Sequence, residues 1–262
     1  MDEWMDTGYV LVGFISAGFL QDADKKAASG VPDKSEARTG GTDKELRDIV
    51  LNFMIAGRDT TACALTWTLY ELARAPDAQE RLRTEFSAVF GGAVARISAD
   101  DDSAAIEAAV SFDKVNQLSF AHAVATEVLR LHPSVPIDVK RAVKRDTLPD
   151  GTRVPAGAAI VYSPYAMGRD VRLWDEPLAF KPERFLSESG AFGEPSVWAY
   201  PTFNAGPRLC LGKPLAMMEI KLVTNMLLQS FDFSLTVPHD GGYESTLVLP
   251  MRPGLMVTLT PR

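Results

Sequence analysis

No proline interrupts residues 46–74, and this run constrains the fold more than any other part of the sequence. Thr42 stands before it with Glu45 three residues later, which is the spacing of a capping box at a helix N-terminus. Pro76 follows the run and predicts its end. Residues 49–56 are apolar on nearly every side, and a helix of that kind is normally surrounded by protein. The sequence therefore predicts one long buried helix.

Hydrophobic periodicity along the rest of the chain predicts more helix than strand. The helix after Pro76 is amphipathic, and we expect four of its side chains to point inward: Leu82, Phe86, Val89 and Phe90. The residues Pro149-Asp150-Gly151 predict a turn between short strands. The expected elements are helices over residues 78–90, 118–131 and 214–229, strands within 133–161 and 231–262, and an irregular proline-rich stretch over 164–207.

Composition excludes several classes of protein. The 262 residues carry 27 basic and 34 acidic side chains, a net charge of −7, so a nucleic-acid partner is not expected. Two cysteines, Cys63 and Cys210, are too few for a disulfide framework. Residues 1–41 are interpreted as an apolar N-terminal segment, too short to span a membrane, followed by a polar linker. The acidic residues at 100–102 are interpreted as a solvated loop.

The strongest chemical signal is the sequence FNAGPRLCLG at residues 203–212, directly before a predicted helix. A cysteine near a helix N-terminus is biased toward the thiolate, and Arg208 adds positive charge. Gly206 and Gly212 let the backbone approach a flat or bulky group closely. Zinc would need three or four ligands, and the sequence has no CxxC pair or histidine cluster. A thiolate, a cation and close-approach glycines suit an axial ligand beneath an anionic porphyrin, whereas the alternative is a small packed cysteine.

These ten residues resemble the haem-binding loop of the cytochrome P-450 superfamily, Phe-x-x-Gly-x-Arg-x-Cys-x-Gly, at every defined position. The resemblance implies that Cys210 is the ligand to the iron of haem b (iron protoporphyrin IX). It further implies that Phe203 shields the sulfur, that Arg208 pairs with a haem propionate, and that Gly206 and Gly212 belong to the haem-binding loop.

A second signal combines two short motifs. Glu127 and Arg130 are spaced i, i+3 on one helix, and Arg184 lies in the sequence PERF at residues 182–185. Either motif alone would be an ordinary ion pair. Together they resemble the Glu-x-x-Arg helix and the PERF motif of the same family. The resemblance implies a structural network of these three residues that holds the helix to the meander before the cysteine loop.

A third signal lies inside the long helix, in the sequence AGRDTT at residues 56–61. Glycine in a helix interior is unfavourable, and an acid with two hydroxyls in an apolar helix needs a reason. A kink with threonines bonded to the helix backbone is one explanation. The motif also resembles the oxygen-activation motif of the family, which implies that Asp59 and Thr60 relay protons to dioxygen. Cys63 is interpreted as a packing residue.

The three motifs occur in the order expected for the C-terminal part of the cytochrome P-450 fold. That fold class is mainly α with small β sheets: a long central helix, the Glu-x-x-Arg helix, a meander, the Cys-loop, a final helix and C-terminal strands. Residues 42–262 are assigned to this haem-binding portion of a monooxygenase domain, and the N-terminal half is expected to be absent. The resemblance implies hydroxylation of a small apolar substrate with dioxygen and with electrons from an NADPH-dependent reductase.

Several phrases look most like the branch that hydroxylates fatty acids near their terminal carbon. On that reading, four residues line the substrate pocket: Ala56, Ile137, Val139 and Val248. We also expect Arg208, Lys213 and Lys221 to lie where the reductase docks. The phrases are LNFMIAGRDTTA at residues 51–62, LHPSVPIDVK at 131–140, PDGTRVPAG at 149–157 and FNAGPRLCLGKPLAMMEIK at 203–221.

Two alternatives remain open at this level. One is a haem-thiolate isomerase or dehydratase, against which the intact Asp59 and Thr60 argue. The other is a truncated, catalytically silent fragment, because no membrane anchor is seen in this chain. Relatives in this branch are usually held at the endoplasmic reticulum membrane by an N-terminal helix, so the resemblance implies that location for the full-length protein.

Overall fold

A computed structural model of the chain describes residues 42–91, 111–244 and 246–262. The predictions for residues 1–41 and for the acidic residues at 100–102 lie outside the described residues. The chain divides into two units, Met1–Arg58 and Asp59–Arg262. The fold is mainly helical with small antiparallel sheets, as the sequence predicts.

The long helix, α1, spans Asp43–Ala73. The backbone N–H of Thr42 donates to the Glu45 carboxylate at 2.7 Å, and the Glu45 N–H donates back to the Thr42 hydroxyl at 3.3 Å. This reciprocal pair is the predicted capping box. In the second unit α1 is buried along one side, with Trp67 and Leu72 fully covered.

The prediction that residues 49–56 are buried is wrong. Ile55 is 71% exposed and Met54 is 61% exposed, and other large apolar side chains from Leu46 to Phe53 are exposed as well. A helix that is apolar on every side needs neighbours on every side. The described part of the first unit is this helical segment alone, which offers its own side chains no such cover.

The remaining elements follow the predicted order. Residues Pro76–Phe90 form α2, in which Leu82, Phe86 and Phe90 are buried and Val89 packs against the same core. The other helices are α3 (Phe112–Asn116), α4 (Ser119–Leu131), α5 (Pro164–Met167) and α6 (Lys213–Ser230), and the strands are β1 (Asp138–Arg141), β2 (Asp146–Thr147), β3 (Arg153–Val154), β4 (Ala159–Tyr162), β5 (Phe231–Leu235) and β6 (Val257–Pro261).

The strands pair locally into three two-stranded antiparallel sheets: β1 with β4, β2 with β3, and β5 with β6. In the first, Val139 lies opposite Val161. Between β2 and β3 the chain reverses at the predicted turn, where the Gly151 N–H donates to the Leu148 carbonyl at 2.9 Å. None of the helices in the described ranges is long and apolar enough to cross a membrane.

The described residues of the second unit form three clusters of buried side chains. The first and largest joins α2, α4 and α6 around Leu82, Phe86 and Leu228. The third and smallest includes Trp67 of α1 and Val128 of α4. The second includes Ala64 of α1 and Ile220 of α6, and Trp174 and Phe203 pack against it. The second cluster therefore connects α1 and α6 to the irregular chain that leads into the cysteine loop.

Candidate functional site

The cysteine loop, residues 203–212, closes on itself before α6 begins. The Cys210 N–H donates to the Phe203 carbonyl at 2.8 Å, and the Lys213 N–H donates to the Cys210 carbonyl at 3.3 Å. Gly206 has φ +59°, in the left-handed region that favours glycine. Gly212 is the N-cap of α6, and a Cβ placed on it would lie 3.9 Å from the Cys210 sulfur. The loop thus holds the thiol just before a helix N-terminus.

The surface around Cys210 has the properties that a haem requires. Cys210 itself is exposed. Apolar side chains on both sides of it are exposed too, with Leu209 at 54% and Leu211 at 80%. Arg208 is exposed two residues before the cysteine. A single thiol ligand, apolar flanks and a guanidinium suit a flat apolar group with an anionic edge, so the residues present fit haem b.

A cluster on the β1–β4 sheet holds the start of this loop. Asn204 has φ +61°, and its amide oxygen accepts hydrogen bonds from the Tyr162 hydroxyl and, at 3.2 Å, from the Lys140 ammonium. Asp138 Oδ2 accepts from the Lys140 ammonium at 3.0 Å and lies 3.0 Å from the Tyr162 hydroxyl, whose single proton is shared between Asn204 and Asp138. Burial acts to raise the pKa of Asp138, but hydrogen bonds led by that from Lys140 hold it below its usual value. Sequence analysis missed this cluster, whose members are up to 66 residues apart and carry no local pattern.

The structure brings Glu127, Arg130 and Arg184 together. The Arg130 Nε–H and Nη2–H donate to the two oxygens of Glu127 at 2.6 and 2.8 Å. The Arg184 Nε–H donates to Glu127 Oε1 at 3.0 Å, and the backbone N–H of Lys181 donates to the same oxygen at 2.8 Å. Glu127 and Arg130 are fully buried. One carboxylate therefore receives two guanidinium groups in the protein interior.

Carbonyl oxygens of the meander, the irregular chain between α5 and the cysteine loop, accept the remaining hydrogen bonds of this network. Arg130 donates to the carbonyls of Gly168, Pro177 at 2.7 Å and Ala179 at 3.1 Å, so all five of its N–H groups have acceptors. A Cβ at Gly168 would collide with the backbone carbonyl of Arg130. Gly168 is a further structural residue that sequence analysis missed, because its constraint is a contact with a residue 38 positions earlier. The buried Arg130 guanidinium therefore holds the meander in place through hydrogen bonds to three of its backbone carbonyls.

Aromatic rings continue from the network to the cysteine loop. The Arg130 guanidinium lies 5.3 Å from the centre of the Trp174 ring. Trp174 contacts Phe185 at 5.8 Å between ring centres, and Phe185 contacts Tyr200 at 6.3 Å. Tyr200 is in the same cluster that Phe203 packs against. The network is thus connected by packed rings to the first residue of the loop.

Asp59, Thr60 and Thr61 of α1 differ in their burial. Asp59 is exposed and Thr60 is half-buried, so the acid is not deep in the protein as its sequence suggested. The reason is that this turn of α1 begins the second unit, and full burial starts at Thr61. Burial raises the pKa of Glu219 on α6, while a hydrogen bond with the Thr61 side chain acts in the opposite direction. The Thr60 carbonyl accepts a hydrogen bond from Ser134 at 2.7 Å.

Of the residues predicted to line a pocket, Ile137 and Val139 lie at β1 and are each 53% exposed. Val248 is half-buried, next to the fully buried Leu249. Ala56 is exposed in the first unit. The structure thus places apolar side chains on the surface near β1 and at the turn over residues 246–249.

The prediction that Lys221 lies on a docking surface is wrong. Lys221 is 2% exposed and its ammonium donates to the Val115 carbonyl at 2.8 Å. Burial lowers its pKa to about 8. The run MMEIKLV places Lys221 on the apolar face of α6, and that pattern was the available signal. Lys213, in contrast, is half-buried and forms an ion pair with Glu194 at 3.0 Å.

Comparison with known proteins gives a consistent picture. The sequence model of the Cytochrome P450 family matches residues 22–256. The chain is 40% identical over 233 residues to Cytochrome P450 704C1 of Pinus taeda, covering 87% of the chain and 45% of that protein. It is 38% identical over 245 residues to Cytochrome P450 704B1 of Arabidopsis thaliana, covering 88% of the chain and 46% of that protein.

A third relative is the alkane hydroxylase MAH1 of Arabidopsis thaliana, 34% identical over 221 residues, covering 84% of the chain and 40% of that protein. The chain therefore spans less than half the length of these three relatives. The family model nevertheless covers most of the chain, including all three motifs. With a cysteine loop and a buried Glu-x-x-Arg network in the expected order, this chain belongs to the cytochrome P450 family.

Proposed function

We propose that this chain supplies the haem-thiolate part of a monooxygenase that hydroxylates an apolar substrate, a fatty acid near its terminal carbon. The observation that carries the proposal is the exposed Cys210 thiol, held before α6 and flanked by exposed apolar side chains and Arg208. Haem held by a cysteine thiolate supplies the activation of dioxygen in this family.

Each residue of the loop has a role that follows from its position. Cys210 would bind the iron, and Gly206 and Gly212 would let the loop approach the ring. Arg208 would pair with a carboxylate at the edge of the haem, where a charge-assisted hydrogen bond is strongest. Phe203, which packs against the second cluster, would cover the sulfur from the protein side.

Asp59 and Thr60 of α1 would supply protons for the activation of dioxygen. Asp59 would hold a proton at its carboxylate and exchange it with solvent, since it is exposed. Thr60 would pass that proton through its hydroxyl toward dioxygen. A relay of this kind contributes roughly 10²–10⁴-fold in rate.

The substrate class has two supports. The chain is similar to a relative named for alkane hydroxylation. The side chains of Ile137, Val139 and Leu247, around the predicted pocket, are apolar and exposed, which suits an alkyl chain. The NADPH-dependent reductase would approach Arg208 and Lys213 on the cysteine side, and the full-length protein would work at the endoplasmic reticulum membrane.

The test is a reduced carbon-monoxide difference spectrum of the chain after loading with haem. A red-shifted, thiolate-type Soret band is the expected result. Addition of a long-chain fatty acid should then shift the haem spectrum, and product analysis should find terminal or near-terminal hydroxylation. Absence of the band would favour the silent-fragment alternative.

A further inference from the structure

Ser134 forms hydrogen bonds with two parts of the molecule for which the sequence predicts different functions. It follows α4 and is 8% exposed. Its hydroxyl donates to the carbonyl of Thr60 at 2.7 Å. Its own carbonyl accepts the backbone N–H of Leu249 at 3.0 Å. One buried residue therefore touches both the oxygen-activation motif and the turn that is predicted to line the substrate pocket.

Leu249 is fixed from its other side as well. Its carbonyl accepts the indole N–H of Trp67 at 2.8 Å. The Trp67 ring stacks on His132 with 3.9 Å between centres and an angle of 2°. His132 in turn is 2.8 Å from the carboxylate of Glu71. Both polar backbone groups of Leu249 are thus held by side chains and backbone that are themselves packed and bonded.

Because these hydrogen bonds share the residues Ser134 and Leu249, loss of one of them weakens the next. Ser134, Leu249 and Trp67 are all buried, so water cannot replace a hydrogen bond that is lost there. If the Ser134 hydroxyl is removed, the chain at residue 134 is no longer held to Thr60. The N–H of Leu249 then depends on a backbone carbonyl that has become free to shift.

We propose that Ser134 is a positioning residue that fixes the turn over residues 246–249 relative to Thr60 and so decides which carbon of an alkyl chain is hydroxylated. The choice of carbon rests on the proposed function, whereas the fixing of the turn does not. Ser134 acts through Thr60 and Leu249 and need not touch the substrate.

Hydrogen exchange followed by mass spectrometry tests the first part in the full chain without haem. The Ser134→Ala variant should speed exchange in the peptide that covers residues 246–252 about threefold to tenfold, the expected loss of one net hydrogen bond. Ser134→Thr should restore slow exchange because it keeps the hydroxyl. Trp67→Phe should speed exchange in the same peptide, since it removes the other hydrogen bond to Leu249.

Thr66→Val is the matched control, because its hydroxyl donates to a carbonyl of its own helix, that of Ala62 at 2.9 Å. This control should leave exchange at residues 246–252 unchanged. Equal exchange in Ser134→Ala and wild type would overturn the inference, whatever the haem spectrum shows.

Product analysis tests the second part in the haem-loaded protein. With a long-chain fatty acid, Ser134→Ala should spread hydroxylation over neighbouring carbons, and Ser134→Thr should not. An unchanged product ratio would overturn the role in specificity. A wild-type protein that binds haem but forms no hydroxylated product would contradict the proposed function, while the exchange result would still decide the structural role of Ser134.

Discussion

The network of Glu127, Arg130 and Arg184 differs from the cysteine loop in the burial and pairing of its side chains. In the network every N–H group of Arg130 has an acceptor inside the protein, and the pair Glu127 and Arg130 is fully buried. In the loop Cys210 is exposed, and Leu209 and Leu211 beside it are exposed as well. The first region is complete in itself, whereas the second presents a surface suited to a further group.

This difference separates two roles of residues in one site. A buried ion network is costly to form, so removing a member destabilises the fold by leaving a charge unpaired. An exposed side chain such as that of Cys210 contributes little to folding, so its removal should affect haem binding and leave stability nearly unchanged. Substitutions in the two regions should therefore separate stability from haem binding.

The largest effect should come from Glu127→Ala. Two guanidinium groups would lose their shared carboxylate in the interior, which costs about 3–5 kcal/mol of unfolding free energy. Urea denaturation measures this loss, and the haem content of the loaded protein should fall to background.

The matched control is Glu183→Ala, in the same PERF motif. Glu183 forms an exposed ion pair with Arg81 at 2.7 Å, which contributes at most about 1 kcal/mol. A Glu127→Ala protein with wild-type stability and full haem content would refute the structural role of the network.

Gly168→Ala should have the next largest effect. The new methyl group would collide with the Arg130 carbonyl and push the meander away from the buried guanidinium. Overpacking of this kind costs about 1–3 kcal/mol, measurable as a shift in the urea midpoint. Gly193→Ala is the control, because its Cβ would meet nothing closer than 4.0 Å. Equal midpoints for the two variants would show that the meander adapts and that the network tolerates displacement.

The stability of the protein should be sensitive to acid because of His122. This residue lies on α4, the helix that carries Glu127 and Arg130, but the charges that affect it are on other parts of the chain. Burial lowers its pKa from 6.5 to about 4; the ammonium groups of Lys221 and Lys213 act in the same direction and Glu194 opposes them. The unfolded chain therefore binds the proton first. Stability should be complete above pH 6.5 and fall by about 1–3 kcal/mol as the pH drops toward 4.

His122→Gln should flatten the part of the pH profile that lies between pH 6.5 and 4, as measured by urea denaturation at each pH. The ring of His122 stacks on Phe192 at 4.0 Å, so the variant also loses some stability at neutral pH. An unchanged slope would mean that other groups control the acid sensitivity.

The smallest effect on stability should come from Cys210→Ser. The side chain is exposed, so the free energy of unfolding without haem should stay within about 0.5 kcal/mol of wild type. The thiolate-type band in the carbon-monoxide difference spectrum should nevertheless disappear. Cys63→Ala should keep that band, since Cys63 is buried in α1. Retention of the band in Cys210→Ser would exclude Cys210 as the ligand.

Local rules were sufficient for much of the fold. The capping box at Thr42, the buried face of α2 and the turn at Gly151 depend on residues within a few positions of one another, and each is present as predicted. Pro214 lies in the first turn of α6, where its missing N–H does no harm.

Long-range contacts explain what sequence analysis missed or assigned wrongly. Lys221 looked like a surface cation, but its ammonium reaches the carbonyl of Val115, 106 residues earlier. Residues 49–56 looked like a buried helix, but burial depends on neighbours and not on apolarity alone. Gly168 carried no pattern, because its constraint is the close approach of the Arg130 carbonyl.

The sequence by itself determined the family, the residues of the cysteine loop and the helices that carry the motifs, because these depend on residue identity and short spacing. The resemblance also implied the pairing of Glu127 with Arg130 and Arg184, whereas only the tertiary structure decided the other long-range pairs of buried groups. The Ser134 hydroxyl and the Thr60 carbonyl are 74 residues apart, and Trp67 and Leu249 are 182 apart. Hydrogen bonds at such separations form only when packing brings the chain segments together, so no local pattern specifies them.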